Sequence, residues 1–254
     1  MIRIVMNKFS LLLVVFLIIC FYERSLAGDV PFQVGERLTY DVKIFGITVG
    51  QVTATVTEKA QVNGRETYHI VAVVRSTGAA ARLYRLHDEL HSYIDTETLE
   101  LLKAERFLQE GRLRSYVAID LNPETKSGTF YRETTGKHTI RNKFKTLSPT
   151  LDVASVPYYV RGNHFDGAKT INLNVLYENQ VKTVEAARLP DEVVDLRKVG
   201  RLNSQVFKQI SGGDITLWIS DDEKRLPVKI VALSIKVVDW RVVDIVGYLS
   251  DVGN

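Results

Sequence analysis

Hydrophobic and polar residues alternate along much of this chain. Residues 38–44 place Leu, Tyr, Val and Ile on one side and Thr, Asp and Lys on the other, and residues 52–57 repeat the pattern. A period of two gives a strand one apolar face and one face that tolerates water. Asn63-Gly64 suits a tight hairpin turn, and residues 67–74 are rich in β-branched and aromatic side chains. These three segments are therefore predicted to form a three-stranded meander.

The same pattern predicts strands throughout the rest of the chain. They are expected at residues 86–94, 101–108, 113–121, 128–133, 137–144, 170–177, 180–187, 203–209, 215–219, 226–238 and 242–249. Turn signals that recur about every 8–12 residues are typical of antiparallel sandwiches and barrels. We therefore expect an all-β protein built as a large antiparallel curved sheet or incomplete barrel, with one or two short helices.

Two segments interrupt the strands and read as short helices. Residues 79–85 form the first, and residues 151–160 form the second. Asp152 is suited to cap the second helix through its side-chain oxygen, whereas Pro157 lacks an N–H, so this helix is expected to begin later or to kink. The segment lacks the composition of a flexible linker. We expect a single β-rich domain over residues 28–254, with possible halves 28–150 and 163–254 joined by this short helix.

The first 27 residues have the pattern of a signal peptide. Arg3 and Lys8 precede an apolar run over residues 9–22, and Ser25-Leu26-Ala27 supplies small residues where a signal peptidase cleaves. Cleavage is expected between Ala27 and Gly28, which predicts a periplasmic or otherwise exported protein. The run is shorter than the roughly 20 residues of a bilayer-spanning helix. No permanent membrane span is therefore expected after cleavage; an uncleaved anchor is the alternative.

Composition narrows the class of protein. With 45% hydrophobic and 25% charged residues among 254, the chain resembles average soluble proteins, which excludes collagen-like, disulfide-scaffold and disordered classes. Lys and Arg number 33 against 30 Asp and Glu, a balance that argues against a nucleic-acid partner. The single cysteine, Cys20, lies in the leader after the large Ile19 rather than a small residue, which disfavours a lipoprotein. If the leader is cleaved, Cys20 is removed with it, so the mature chain has no cysteine and thiol chemistry is excluded from it.

The most chemically suggestive string is His87-Asp88-Glu89-Leu90-His91. On a strand, His87, Glu89 and His91 share one face and could meet a metal ion if another strand contributed ligands. A polar, solvent-facing side of a strand is the simpler interpretation. The chain has neither a Gly-x-Ser-x-Gly element nor a glycine loop that cradles phosphate. An enzyme is therefore not favoured, and no cofactor is expected.

A second candidate site is basic. Arg141, Lys143 and Lys145 alternate along one predicted strand and project to one side. They could contact anionic lipid head groups or an acidic polysaccharide. The favoured interpretation is an edge strand whose charges prevent it from pairing with other chains.

Several segments together resemble an exported bacterial family, domain of unknown function 3108. They are residues 32–40 with 46–50, Leu83-Tyr84 with Asp88, Ser92 and Asp95, the set Asp152, Ser155 and Arg161, and residues 217–229. The part of this last segment from Trp218 to Pro227 is also similar to a stretch in periplasmic lipoprotein carriers. The resemblance implies an exported β-rich envelope protein, and no catalytic residue carries over from it.

These observations favour an exported cell-envelope protein that is not an enzyme. We expect it to bind an apolar or amphipathic envelope component such as lipid, because curved sheets often enclose a ligand cavity. One alternative is a structural or protein–protein interaction module that docks another envelope protein through a sheet edge or face. The other is a metal-dependent hydrolase that uses His87, Glu89 and His91.

Overall fold

The protein is one large, strongly curved sheet. The structure, a computed structural model, describes residues 30–165, 167–238 and 241–253. Fifteen strands of these residues form a single sheet that does not close, accompanied by two short helices. All neighbouring strands are antiparallel except the pair β9–β10, which is parallel. The predicted all-β class and curved sheet or incomplete barrel are confirmed.

The elements follow one another along the chain as the alternation predicts. The first strands are β1 (Arg37–Ile44), β2 (Ile47–Val62), β3 (Arg65–Ser76), β4 (His87–Asp95), β5 (Leu101–Glu110), β6 (Leu113–Asn122), β7 (Ser127–Thr134), β8 (Ile140–Lys145) and β9 (Thr150–Leu151). The later strands are β10 (Thr170–Tyr177), β11 (Gln180–Leu196), β12 (Gly200–Gln209), β13 (Ile215–Ser220), β14 (Pro227–Val238) and β15 (Arg241–Gly253). Helix α1 (Gly78–Leu83) links β3 to β4, and helix α2 (Val156–Gly162) links β9 to β10.

The strand order places the two ends of the chain side by side. It runs β8-β7-β6-β5-β4-β3-β2-β1-β15-β14-β13-β12-β11-β10-β9. Strands β1–β8 form the first block and strands β9–β15 form the second. Within each block, consecutive strands are neighbours in the sheet, and β1 pairs with β15 to join the two blocks. The segments expected as possible halves are thus neighbouring blocks of one hydrogen-bonded sheet, with β8 and β9 at its two edges.

Helix α2 packs on the face of the sheet that carries most of the core, which we call the inner face. Tyr158 of this helix packs with a cluster that includes Ile70, Ile94 and Ile119 from the first block. Val160 packs with a second cluster from β10 to β14. A helix with apolar residues on two sides can therefore contact both blocks at once.

Strand β11 is twice as long as the sequence pattern indicates. The pattern predicts a strand over residues 180–187. Pro190, which lacks an N–H, and two acidic residues follow this segment. The structure accommodates Pro190 in an irregularity between Leu189 and Glu192, where the pairing with β12 shifts register. The strand then continues, and Val194 and Leu196 pack in a third cluster with Trp218.

Candidate functional site

Helix α2 begins at a tight turn that is fixed by hydrogen bonds. The N–H of Ser155 donates to Oδ1 of Asp152 over 2.9 Å, and the N–H of Asp152 donates to Oγ of Ser155 over 2.8 Å. The Ser92 hydroxyl donates to the other oxygen of Asp152 over 2.7 Å. The N-cap residue is Ser155 and Pro157 lies in the first turn. The helix therefore begins later than residue 151, as Pro157 predicts, and the expected cap at Asp152 is wrong. Asp152 instead anchors the turn to β4.

A buried ion pair holds the other end of helix α2. The Arg161 side chain is completely buried, and its two terminal nitrogens donate to the two carboxylate oxygens of Glu36 over 2.6 and 2.8 Å. One of them also donates to the carbonyls of Pro31 and Lys224. A bidentate pair of this kind is geometrically specific. It ties the helix both to the segment before β1 and to the turn between β13 and β14.

A second arginine secures the same helix from the β13–β14 turn. Arg225 donates to the carbonyls of Val160 and Asn163 over 3.2 and 3.1 Å. Its own turn is closed by Asp222, whose Oδ1 accepts the N–H groups of Lys224 and Arg225. The β13–β14 turn, whose residues 221–224 are charged and exposed, therefore also holds helix α2 in position.

An apolar cavity lies between helix α2 and the inner face of β10 to β14. It is half open, with a volume of about 460 Å³, which falls within the roughly 300–1,000 Å³ of small-molecule sites. Its apolar lining consists of Val153, Val156, Pro157, Val160, Ile171, Leu173, Val175, Leu176, Tyr177, Val184, Ala186, Phe207, Ile215, Leu217, Ile230 and Ala232. Val153, Tyr177 and Ile215 are exposed and mark its rim.

Strand register explains why these side chains converge. Residues paired directly across antiparallel strands lie on the same face. Ile171 pairs with Ala186, and Leu217 pairs with both Phe207 and Ile230. The alternation that predicts these strands thus aligns one continuous apolar surface, and helix α2 covers part of it.

Three polar residues complete the lining: Arg106, Glu178 and Gln209. Arg106 comes from β5 in the other block of the sheet. Glu178 lies in the β10–β11 turn, and its carboxylate is 2.9 Å from a terminal nitrogen of Arg132 on β7. Gln209 donates to the carbonyl of Ser211 over 2.7 Å. The cavity is therefore apolar along most of its lining and carries a few polar groups, as ligand-binding cavities typically do.

A second, larger cavity has a different character. It measures about 650 Å³ and is bounded by the ends of β1 and β11. Its lining includes charged residues of both signs: Asp41, Lys43, Asp195, Arg197 and Lys198. Because opposite charges are interspersed there, this surface favours water over an apolar ligand.

The comparisons with known proteins place the chain in a family. A family model described as Protein of unknown function (DUF3108) matches residues 39–235. The chain belongs to this family. The resemblance noted in the sequence is thereby confirmed. Three of the positions that carry it, Asp152, Ser155 and Arg161, are those that anchor helix α2 in this DUF3108 protein.

A solved structure shares the fold. The crystal structure of a beta-barrel-like protein of domain of unknown function DUF1849 from Brucella abortus aligns with a TM-score of 0.52 and 10% sequence identity. The alignment covers 87% of this chain and 97% of that one. A search of curated proteins gives no match. Within the described residues, no helix has both the length and the apolar character needed to cross a membrane.

The sequence-predicted metal residues are only partly brought together. Glu89 and His91 contact each other on β4, with Oε1 and Nε2 2.7 Å apart, and the other ring nitrogen of His91 lies 2.9 Å from His69. His87 is exposed and pairs across the ladder with Arg75. In the described part of the chain, no group of three His, Cys, Asp or Glu side chains has an arrangement that could hold a metal ion.

His69 and His91 belong to a row of rings on the outer face of the first block. Its members, which we call the outer aromatic row, are Tyr93, His69, His91, Phe107, Tyr116 and Tyr131, with neighbouring centroids 4.3 to 6.2 Å apart. A hydrogen bond to Glu105, reinforced by burial, raises the pKa of Tyr116 to about 12. Burial lowers the pKa of the His69 imidazole, although nearby Glu58 opposes that change. The row is tied together by polar contacts as well as by stacking.

The basic residues Arg141, Lys143 and Lys145 lie together on edge strand β8 and are all exposed. The Arg141 guanidinium lies 5.1 Å from the ring centre of Tyr131, the last member of the outer aromatic row. The sequence placed these three charges correctly on one side of an edge strand. Their contact with an anionic surface stays a prediction. The predicted cleavage site, Ala27 and Gly28, lies outside the described residues.

Sequence reasoning did not single out the apolar cavity or its polar residues. Arg106 looks like one charge among several in β5, where Lys103 and Glu105 precede it. The signal that could have identified it is parity: Arg106 shares a face with the buried Ala104, whereas Lys103 and Glu105 share the opposite face. A lone arginine on a core-facing position is unusual enough to mark a site.

Proposed function

We propose that this DUF3108 protein is an exported, non-catalytic binding protein of the cell envelope. Its ligand is an amphipathic lipid whose hydrocarbon chain occupies the apolar cavity. The cavity itself carries this proposal: sixteen of its nineteen lining residues are apolar, and three of those, Val153, Tyr177 and Ile215, are exposed at its rim. Burying apolar surface there stabilises a complex by about 25 cal/mol per Å² removed from water.

The signal-peptide pattern of residues 1–27 supports export. In the cell envelope, lipids are the abundant molecules with long apolar chains. A cavity between a helix and a curved sheet also suits a carrier, because the chain of a lipid can enter at the exposed apolar rim. The two observations together favour a lipid over a soluble metabolite.

The proposal is tested with the neutral apolar dye N-phenylnaphthylamine, whose fluorescence rises in apolar surroundings. We expect the wild-type protein to bind the dye saturably. Ala186→Trp places a large ring in the cavity and is expected to abolish binding. Ala118→Trp, the same substitution on the outer face between Glu105 and Tyr131, is the matched control and should bind normally.

Each variant is first checked by circular dichroism and thermal unfolding. Ala232→Phe, a smaller change in the same cavity, replaces Ala186→Trp if that variant does not fold. Dye binding that is equal in the wild type and in the filled-cavity variants would contradict the proposal, as would a wild-type protein that does not bind the dye.

A further inference from the structure

The lining of the apolar cavity includes one cationic side chain, Arg106, with two buried nitrogens that lack a hydrogen-bond partner among the described residues. Arg106 lies on β5 and reaches the lining from the inner face. Its Nε and Nη2 atoms are buried, and neither has a hydrogen-bond partner among the described residues. A buried N–H without an acceptor is unfavourable, and more so on a charged group. The lining thus contains two donors suited to an acceptor.

The two donors are the geometrically matched pair of the guanidinium group. The N–H bonds of Nε and Nη2 point to the same side of the planar group and are parallel. This edge of an arginine binds two oxygens of one carboxylate or one phosphate. A neutral hydroxyl could accept only one of the two bonds in good geometry. The chemistry of the cavity therefore favours an anionic group with two oxygens.

The nearby carboxylate does not satisfy Arg106. Glu178 is the one acidic residue in the described lining, and it forms an ion pair with Arg132 at 2.9 Å. Nε of Arg132 is also buried without a hydrogen-bond partner in the described part of the chain. Because Glu178 is paired with Arg132, Arg106 is the one charged lining residue without an ion-pair partner among the described residues, and its positive charge complements an anion.

We infer that Arg106 binds the head group of an anionic single-chain lipid, through a carboxylate or a phosphate, while the hydrocarbon chain lies against β10 to β14. This inference rests on the proposed function and specifies its substrate class. Arg106 is then the residue that distinguishes acids from neutral amphiphiles of equal chain length.

Competition with bound N-phenylnaphthylamine at neutral pH tests the inference. The competitors are laurate, dodecyl phosphate and dodecanol, which share a twelve-carbon chain and differ in the head. We expect both anions to displace the dye from the wild type at concentrations about tenfold or more below that of dodecanol, a ratio that corresponds to one charge-assisted contact. Inorganic phosphate alone should not displace the dye, because it lacks the chain.

Two variants separate head-group binding from a purely structural role. Arg106→Gln removes the charge and should reduce the ratio between anion and alcohol to about twofold or less, because loss of the charge weakens the binding of the anions more than that of dodecanol. Arg114→Gln, which removes the same charge from an exposed position on β6, is the control and should keep the wild-type ratio.

Each outcome decides the question. If the wild type binds laurate and dodecanol equally, or if Arg106→Gln keeps the preference for anions, the inference is wrong while the proposed function stands. If the wild type does not bind the dye at all, both fail together. The comparison of head groups on the wild type needs no variant, so a failure of Arg106→Gln to fold leaves the test intact. Displacement by inorganic phosphate alone would show a site for the free ion rather than for a lipid.

Discussion

Several side chains of this protein have a structural role, because they hold helix α2 in position. Arg161 and Glu36 are separated by 125 residues in sequence, yet they form a buried bidentate pair. Removing one partner leaves the other charge buried and unpaired, which is the costly situation for an internal ion pair. The sequence resemblance marked Arg161 and Glu36, but a contact between such distant positions has no signature in local alternation.

We predict that Arg161→Met lowers the free energy of unfolding by about 3–5 kcal/mol. Urea unfolding followed by circular dichroism measures this change. Lys59→Met is the control, because the Lys59–Glu66 pair is nearly half exposed on both sides and such pairs contribute less than about 1 kcal/mol. Equal effects of the two substitutions would show that the buried pair does not hold the helix.

His69 gives the stability of the protein a defined pH dependence. Burial lowers its pKa below the ordinary value of 6.5, with Glu58 opposing. The unfolded chain therefore takes up a proton at a higher pH than the folded protein does. Since acid then favours the unfolded state, stability falls as the pH drops through about 6.5 towards the lowered pKa.

We predict a decrease in the unfolding midpoint of the wild type between about pH 7.5 and about pH 5.5. The decrease should be smaller in His69→Gln than in the wild type, and it should be unchanged in His138→Gln, which alters an exposed histidine. Thermal unfolding across this pH range measures it. A wild-type slope that survives in His69→Gln would assign the effect to other groups.

The strands and helices were largely readable from the sequence, and the errors have local causes. Alternation located fourteen of the fifteen strands, because most have one face buried and the other wet. The continuation of β11 past Pro190 was missed, since a bulge rather than a turn accommodates the proline. The two-residue β9 is too short for any periodic signal. Strands can be predicted where buried and exposed residues alternate. They cannot be predicted where irregular backbone pairing determines how far a strand extends.

Close packing beneath helix α2 yields a test of its position. A Cβ added at Gly162 would overlap Cδ1 of the buried Leu99. We predict that Gly162→Ala lowers stability by about 1–3 kcal/mol through overpacking. Leu99→Ala removes the obstructing side chain and leaves a cavity that alone costs about 2–5 kcal/mol.

The double variant should be more stable than the sum of the single effects by at least about 0.5 kcal/mol. Urea unfolding of the two single variants and the double variant measures this coupling. Strictly additive effects would mean that the helix does not rest against Leu99.

Edge strand β8 is expected to avoid pairing with other molecules through its charges. We predict that replacing Arg141, Lys143 and Lys145 together by valine causes self-association, because an edge strand without charged residues can extend the sheet of another copy. Sedimentation velocity measures it. The triple glutamate variant is the control and should stay monodisperse. A valine variant that sediments like the wild type would remove the support for this role and favour the anionic contact.

As a whole, the molecule is a sheet whose two blocks of strands meet through β1 and β15, with helix α2 between them. The sequence predicted the curved all-β architecture but not the pairing of β1 with β15, because a pairing between the first and last strands depends on the path of the entire chain. The apolar cavity was not predicted, for the same reason. Arg106 lies in the first block, whereas the apolar residues that line the cavity lie in the second block, in helix α2 and in the turn before it.

The central claim is that this cavity holds a lipid chain. Native mass spectrometry of the protein purified from its own host without detergent tests it most directly. The account predicts a fraction of molecules with the added mass of one anionic lipid, released by organic solvent and reduced in Ala186→Trp. A single apoprotein mass, unchanged after incubation with laurate or dodecanol, would contradict it.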